Sequence, residues 1–140
     1  MTTIAYRDGV MACDSSCWVD GVLQHRVQKI HRVGGGLVGF AGSIAYGLAI
    51  VEWLKDGADD EHYPKEKDGT VIIVDSRGRI SALESESKTV CRVRDRFVAI
   101  GSGSAIALGA MAAGATAYEA VKIAGRFDAY TRGPFKEYEI

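Results

Sequence analysis

The chain has 140 residues, 47% apolar and 25% charged, with 17 Lys plus Arg against 18 Asp plus Glu. That is enough for one hydrophobic core, too balanced for its overall field to attract nucleic acid, and without the ~18-residue apolar run of a membrane span. Cys13, Cys17 and Cys91 are odd in number and scattered, which excludes a regular disulfide framework and fits a reducing cytoplasm; Asp8 interrupts the stretch where a signal peptide needs apolar residues.

In chain order, residues 2–6 are β-prone, Arg7-Asp8-Gly9 supplies a turn, and residues 10–13 return, predicting a hairpin. Residues 14–21 read as a polar connection. Residues 27–33 alternate, with Val27, Lys29 and His31 on one face, so burial there involves a polar site. Gly34-Gly35-Gly36 turns the chain into a strand over 37–41. Apolar residues at Ile44, Leu48 and Val51 then predict a helix over 44–55, with Ser43 as N-cap and Gly57 as stop. The acid-rich segment 56–69 has no apolar period and reads as a solvated loop.

Residues 71–74 and 80–83 predict a second hairpin, and residues 89–93 and 97–100 a third around Arg94-Asp95-Arg96. Residues 104–113 form a small-residue helix closed by Gly114. Thr116 and Glu119 make a capping box for a last helix through Phe127. The expectation is one domain over 1–140 with six to eight antiparallel strands.

Met1-Thr2 is the first chemical signal. Aminopeptidases remove an initiator Met before a small residue, which would leave Thr2 with a free amine. An α-amino group titrating near ~7.7 to 8.0 can take the proton of its own hydroxyl, so one residue holds nucleophile and base. A lysine near that amine lowers its pKa, and an aspartate holds the lysine in place; Lys29 and Asp14 are the candidates, although each alone also fits a surface charge.

Other motifs carry less. Gly34 to Gly39 satisfies G-x-G-x-x-G, but a strand rather than a helix follows, so a hairpin turn is expected. Neither serine of Gly101-Ser102-Gly103-Ser104 has glycines on both sides at the spacing of a hydrolase elbow. His25, His31 and His62 lack metal-ligand spacing, and neither metal nor cofactor is expected. Arg92, Arg94 and Arg96 alternate like one polar face of a strand; Tyr46, Trp53 and Tyr118 read as core or contact residues before they read as a pocket.

Thr2-Thr3-Ile4, Met11-Ala12-Cys13-Asp14, Val27-Gln28-Lys29-Ile30, Gly39-Phe40-Ala41-Gly42 and Gly101-Ser102-Gly103-Ser104 follow one another in an order and spacing that resembles the proteasome β-subunit and bacterial HslV peptidase family. The resemblance implies an α+β fold, a four-layer αββα sandwich of two stacked, mainly antiparallel sheets flanked by helices. It also implies peptide-bond hydrolysis through an acyl-enzyme on Thr2, with Lys29 tuning the amine and Asp14 pairing Lys29. The Gly42 N–H would receive the oxyanion, and Ser102 and Asp128, followed by Thr131, would orient the amine.

The family works in self-compartmentalised rings. A homo-oligomeric ring, a peptide or unfolded protein substrate and an ATP-dependent unfoldase are therefore the implied partners, with the helices over 104–127 as contact surface. Two departures stand out: a shorter first hairpin, and the loop 56–69 where the family has a second long helix. A noncatalytic scaffold subunit with Thr2 never unmasked, and a non-peptide amidase of the wider N-terminal nucleophile hydrolase group, are the alternatives.

Overall fold

A computed structural model describes residues 2–65, 68–84 and 90–140. Strands β1 (Thr3–Arg7) and β2 (Val10–Cys13) are joined by Asp8-Gly9, both in the left-handed region at φ 51° and 83°. That pair of positive angles suits the two-residue turn whose twist matches a hairpin.

The same device joins β3 (Ser16–Val19) to β4 (Val22–Arg26), with Asp20 at φ 51° and Gly21 at 75°. Residues 14–21, expected as a connection, are thus largely a second hairpin. Strand β5 (Ile30–Val33) turns at Gly34-Gly35 into β6 (Gly36–Gly42), as the glycine triplet predicts. Because β5 begins only at Ile30, Lys29 lies on the preceding loop rather than on a strand face with His31, whose ring stacks on Phe40 at 5.9 Å.

Helix α1 (Ile44–Lys55) starts where the Ser43 side chain accepts from the Tyr46 N–H at 3.3 Å. The segment after it is less solvated than its composition suggests. Trp53 Nε1 donates to the Asp59 carbonyl at 2.7 Å, and buried Tyr63 meets the Trp53 ring edge-on at 5.0 Å, so one aromatic pair docks the acidic loop. Residues 66 and 67 of that expected loop lie outside the described residues.

Strands β7 (Gly69–Val74) and β8 (Ile80–Glu84) form the expected hairpin. Strands β9 (Val90–Val93) and β10 (Phe97–Gly101) do not pair with each other: β9 pairs with β8, and β10 pairs with β1. Arg94-Asp95-Arg96 therefore carries the chain from one sheet to another, and Thr89, expected to open the hairpin, lies outside the described residues. Helices α2 (Ser104–Ala112) and α3 (Ala117–Phe127) follow, the second with its capping box formed, and β11 (Lys136–Glu139) adds a strand that the polar sequence KEYE does not announce.

The result is an α+β chain whose sheets run β10-β1-β2-β11 and β5-β6-β7-β8-β9, antiparallel throughout, beside the β3–β4 pair. Eleven strands among the described residues exceed the six to eight expected.

Strand alternation decides the packing. Ile4 and Tyr6 of β1 point to the five-stranded sheet and join Met11, Leu37, Ile72 and Val74; Ala5 between them points the other way and meets α2 and α3 through Ala107, Ala120 and Ala124. On β6, Val38 and Phe40 pack on Tyr46, Ile50 and Val51 of α1. Gly39 between them sets the approach of the sheets, since a Cβ there would lie 2.8 Å from Met11 Sδ.

Candidate active site

Thr2 immediately precedes β1 and is 3% exposed. Its neighbour Thr3 pairs with Gly101 at the end of β10. Gly101 has φ 96°, and a Cβ on it would lie 1.8 Å from the Thr2 carbonyl oxygen, so only glycine lets β10 pass this close to the start of the chain. Thr2, Lys29 and Gly42 line one cavity of about 160 Å³, together with Ser16, Cys17 and Trp18.

Asp14 stands behind Lys29. Its Oδ1 accepts from Lys29 Nζ at 2.9 Å and from the Thr3 N–H at 3.0 Å; its Oδ2 accepts from the N–H groups of Ser16 and Arg132, both at 3.3 Å, and lies 2.5 Å from Ser16 Oγ. The carboxylate is fully buried and the ammonium nearly so. A charge pair out of water is tolerable only with this density of donors. The Phe40 N–H also donates to the Lys29 carbonyl at 3.3 Å, tying the lysine backbone to β6.

A second polar chain reaches Thr2 from the helical side. Ser102 Oγ lies 3.4 Å from the Thr2 carbonyl oxygen and 2.6 Å from Asp128 Oδ2, while Thr131 Oγ1 lies 2.5 Å from the same carboxylate oxygen. Because an ionised carboxylate only accepts, the Thr131 proton points at Asp128. The Thr3 hydroxyl must then donate to Thr131 across 2.6 Å, which leaves Thr3 Oγ1 to accept from the Gly103 N–H at 3.1 Å. Every hydroxyl proton in the chain from Gly103 to Asp128 is thereby directed. Partial burial pushes the Asp128 carboxyl up, but the Ser102 and Thr131 hydroxyls and the Tyr130 N–H outweigh it and hold the group below the usual carboxylate range.

Gly42 closes β6 at φ 112°, where a Cβ would sit 2.6 Å from Gly69 Cα and 2.7 Å from the Asp68 carbonyl. The residue type is fixed by strand packing as well as by its place on the cavity.

Of the residues singled out from sequence, Thr2, Lys29 and Gly42 share the cavity, Asp14 grips Lys29, and Ser102 with Asp128 reaches the Thr2 carbonyl. Sequence reasoning missed Thr3, the hinge between both polar chains, and Ser16, Cys17 and Trp18 on the cavity wall. For the last three a signal existed, because Asp20-Gly21 between Val19 and Val22 marks a hairpin whose first strand holds them. Tyr46 and Trp53 are core residues, as expected, and Tyr118 packs against the α2–α3 core. Burial, reinforced by the Asp14 charge, pushes the Cys13 thiol up to about 12, so its position beside Asp14 confers no reactivity.

No family model matches the sequence, and no curated protein matches it. Solved structures do match. BPH of Thiobacillus denitrificans in complex with epoxomicin superposes with a TM-score of 0.74 at 24% identity, covering 99% of this chain and 97% of that one. A second structure of the same protein also gives 0.74 at 24% identity, covering 99% and 96%. The eukaryotic HslV of Trypanosoma brucei gives 0.72 at 19% identity, covering 98% and 97%.

The chain has an HslV-like fold. The expected resemblance to HslV and the proteasome β-subunits is met in fold, over nearly the whole length of each chain compared. Within this HslV-like fold the cavity holding Thr2 lies at the β10 end of the four-stranded sheet, where Thr3 and Gly101 pair.

Proposed function

We propose that this chain, as one catalytic unit over 1–140, is a threonine peptidase of the N-terminal nucleophile type with a four-layer αββα sandwich. It acts after removal of Met1. The observation that carries the reading is the convergence of buried Thr2, the Asp14-held Lys29 ammonium and Gly42 on one small cavity. An exposed Met-Thr start would require none of these.

The Thr2 hydroxyl attacks the scissile carbonyl and gives its proton to the freed α-amine, directly or through a water. The Lys29 ammonium disfavours a second positive charge beside it, which lowers the amine's pKa and holds it in the neutral form that can accept the proton. Developing negative charge on the carbonyl oxygen is met by the Gly42 N–H. The amine then returns the proton to the leaving peptide amine, and water hydrolyses the Thr2 ester. With its one proton given to Asp128, the Ser102 oxygen is left as an acceptor beside Thr2, where it and Asp128 orient the freed amine.

Likeness to HslV, with exposed Leu48, Leu108 and Phe127 on helices α1, α2 and α3, supports assembly into a homo-oligomeric ring, with peptides or unfolded protein as substrate and an unfoldase as feeder, and the scattered cysteines fit the cytoplasm. Turnover of a panel of fluorogenic peptides by the Met-free chain tests the activity. Hydrolysis should vanish in Thr2→Ala with the oligomer unchanged, and survive at a reduced rate in Thr2→Ser. Equal turnover by Thr2→Ala would refute the mechanism. Hydrolysis of small amides but no peptide would transfer the chemistry to an amidase, and inertness of the Met-free chain would favour a scaffold.

A further inference from the structure

The crossover between the sheets gathers arginines that the proposed chemistry does not use. Beside Arg94-Asp95-Arg96 lies an open groove of about 650 Å³, lined by Tyr6, Arg79, Arg92, Arg94, Asp95 and Arg96. It sits at the end of β10 away from Thr2: Phe97 pairs with Arg7, whereas Gly101 pairs with Thr3. At ~3.3 Å per strand residue the two ends are about 13 Å apart along the strand, so the groove is distinct from the Thr2 cavity.

Its charges are unevenly matched. Arg79 is neutralised by Asp75, whose Oδ2 accepts from Arg79 Nε at 2.6 Å, and Asp8 on the rim is taken by Arg7 at 3.3 Å. Arg92, Arg94 and Arg96 are exposed, and their side chains make no hydrogen bond or ion pair among the described residues, against the single carboxylate of Asp95. Across the β8–β9 ladder Arg92 faces Ser81 rather than an acid. In a chain with net charge -1, three guanidinium groups within five residues repel one another unless an anion joins them.

We propose that this groove is a binding site for a compact polyvalent phosphate, a polyphosphate chain or a di- or triphosphate ester. Guanidinium forks match phosphate oxygens bidentately, and a triphosphate brings several negative charges into a volume that three neighbouring arginines can surround. A peptide carboxylate brings one charge per side chain and would leave most of the arginines unmatched.

Inorganic tripolyphosphate is the probe, titrated into the full chain by calorimetry at fixed ionic strength, with sodium sulfate and an oligoglutamate peptide run alongside. Saturable binding at one site per chain is expected, weakened at least tenfold in Arg94→Glu/Arg96→Glu and in Arg92→Glu. Arg126→Glu, at an exposed position of α3, should bind as the parent does. All four substituted positions are exposed, and circular dichroism checks the fold of each variant. No saturable binding, equal binding in all variants, or tighter binding of oligoglutamate than of tripolyphosphate would each overturn the proposal, the last in favour of an acidic protein partner. Because the readout is binding, none of these outcomes depends on Thr2 chemistry.

Discussion

Replacing Lys29 with Met keeps side-chain length and apolar stem but deletes the cation paired at 2.9 Å with a fully buried carboxylate. Removing one partner of a buried pair costs about 3–5 kcal/mol, because the other charge stays behind uncompensated. Here Asp14 would retain the Thr3, Ser16 and Arg132 N–H groups and the Ser16 hydroxyl, neutral donors that soften the loss, so the low end, about 3 kcal/mol, applies. Against a total stability of about 5–15 kcal/mol the variant should still fold, with the urea midpoint displaced and the slope unchanged. Tryptophan fluorescence during urea unfolding measures this. A loss below about 1 kcal/mol would refute the idea that Asp14 depends on Lys29 for compensation. In the Met-free protein the same substitution should also reduce peptide turnover almost to nothing.

Three further outcomes follow from the packing and the charges. Gly47→Ala pits a helix-propensity gain of about 1 kcal/mol against a Cβ placed 2.1 Å from Phe40 Cδ2 in a ring that is itself buried; overpacking wins, and thermal unfolding should show a net loss of about 1–3 kcal/mol. Asp128 is held below its ordinary range when folded, so the stability it contributes is present above about pH 4 and is lost as pH falls through the lower folded value. Asp128→Asn should therefore lower stability at neutral pH and flatten the acid limb of the stability profile, whereas an unchanged acid limb would contradict the hydrogen-bonded carboxylate. Iodoacetamide at pH 8 should label exposed Cys91 rapidly and Cys13 only on unfolding, as peptide mapping would show; fast labelling of Cys13 in the native chain would contradict its burial.

Local chemistry was the legible part of this sequence. Asp8-Gly9 and Gly34-Gly35 declared their hairpins because positive φ at two successive positions needs such residues, and Thr116 with Glu119 declared the start of α3. Asp20-Gly21 carried the same information, obscured by the polar residues before it. The sheet crossover at Arg94 was not legible, since a three-residue link serves a hairpin and a change of sheet equally. Neither was the restriction at Gly39 or Gly101, because the atoms that forbid a Cβ there come from β2 and from Thr2.

The site divides in the same way. Thr2, Lys29 and Asp14 are readable as candidate nucleophile, cation and counter-ion, although Lys29 and Asp14 each alone also fit a surface charge, and the family resemblance supplies Gly42, Ser102 and Asp128. Thr3 could not be found, since it looks like an ordinary β-branched strand residue. Its role rests on Thr131, 128 positions away, and on the Gly103 N–H.

The most direct test is covalent. Epoxomicin, the compound bound in the Thiobacillus denitrificans BPH structure, carries an epoxyketone, a group that an N-terminal threonine can engage with hydroxyl and amine together. The Met-free chain should gain one epoxomicin mass, mapped to Thr2 in the N-terminal peptide and absent from both Thr2→Ala and the Met1-bearing chain. An unmodified Met-free chain, or an adduct that persists in Thr2→Ala, would contradict a nucleophilic N-terminal threonine.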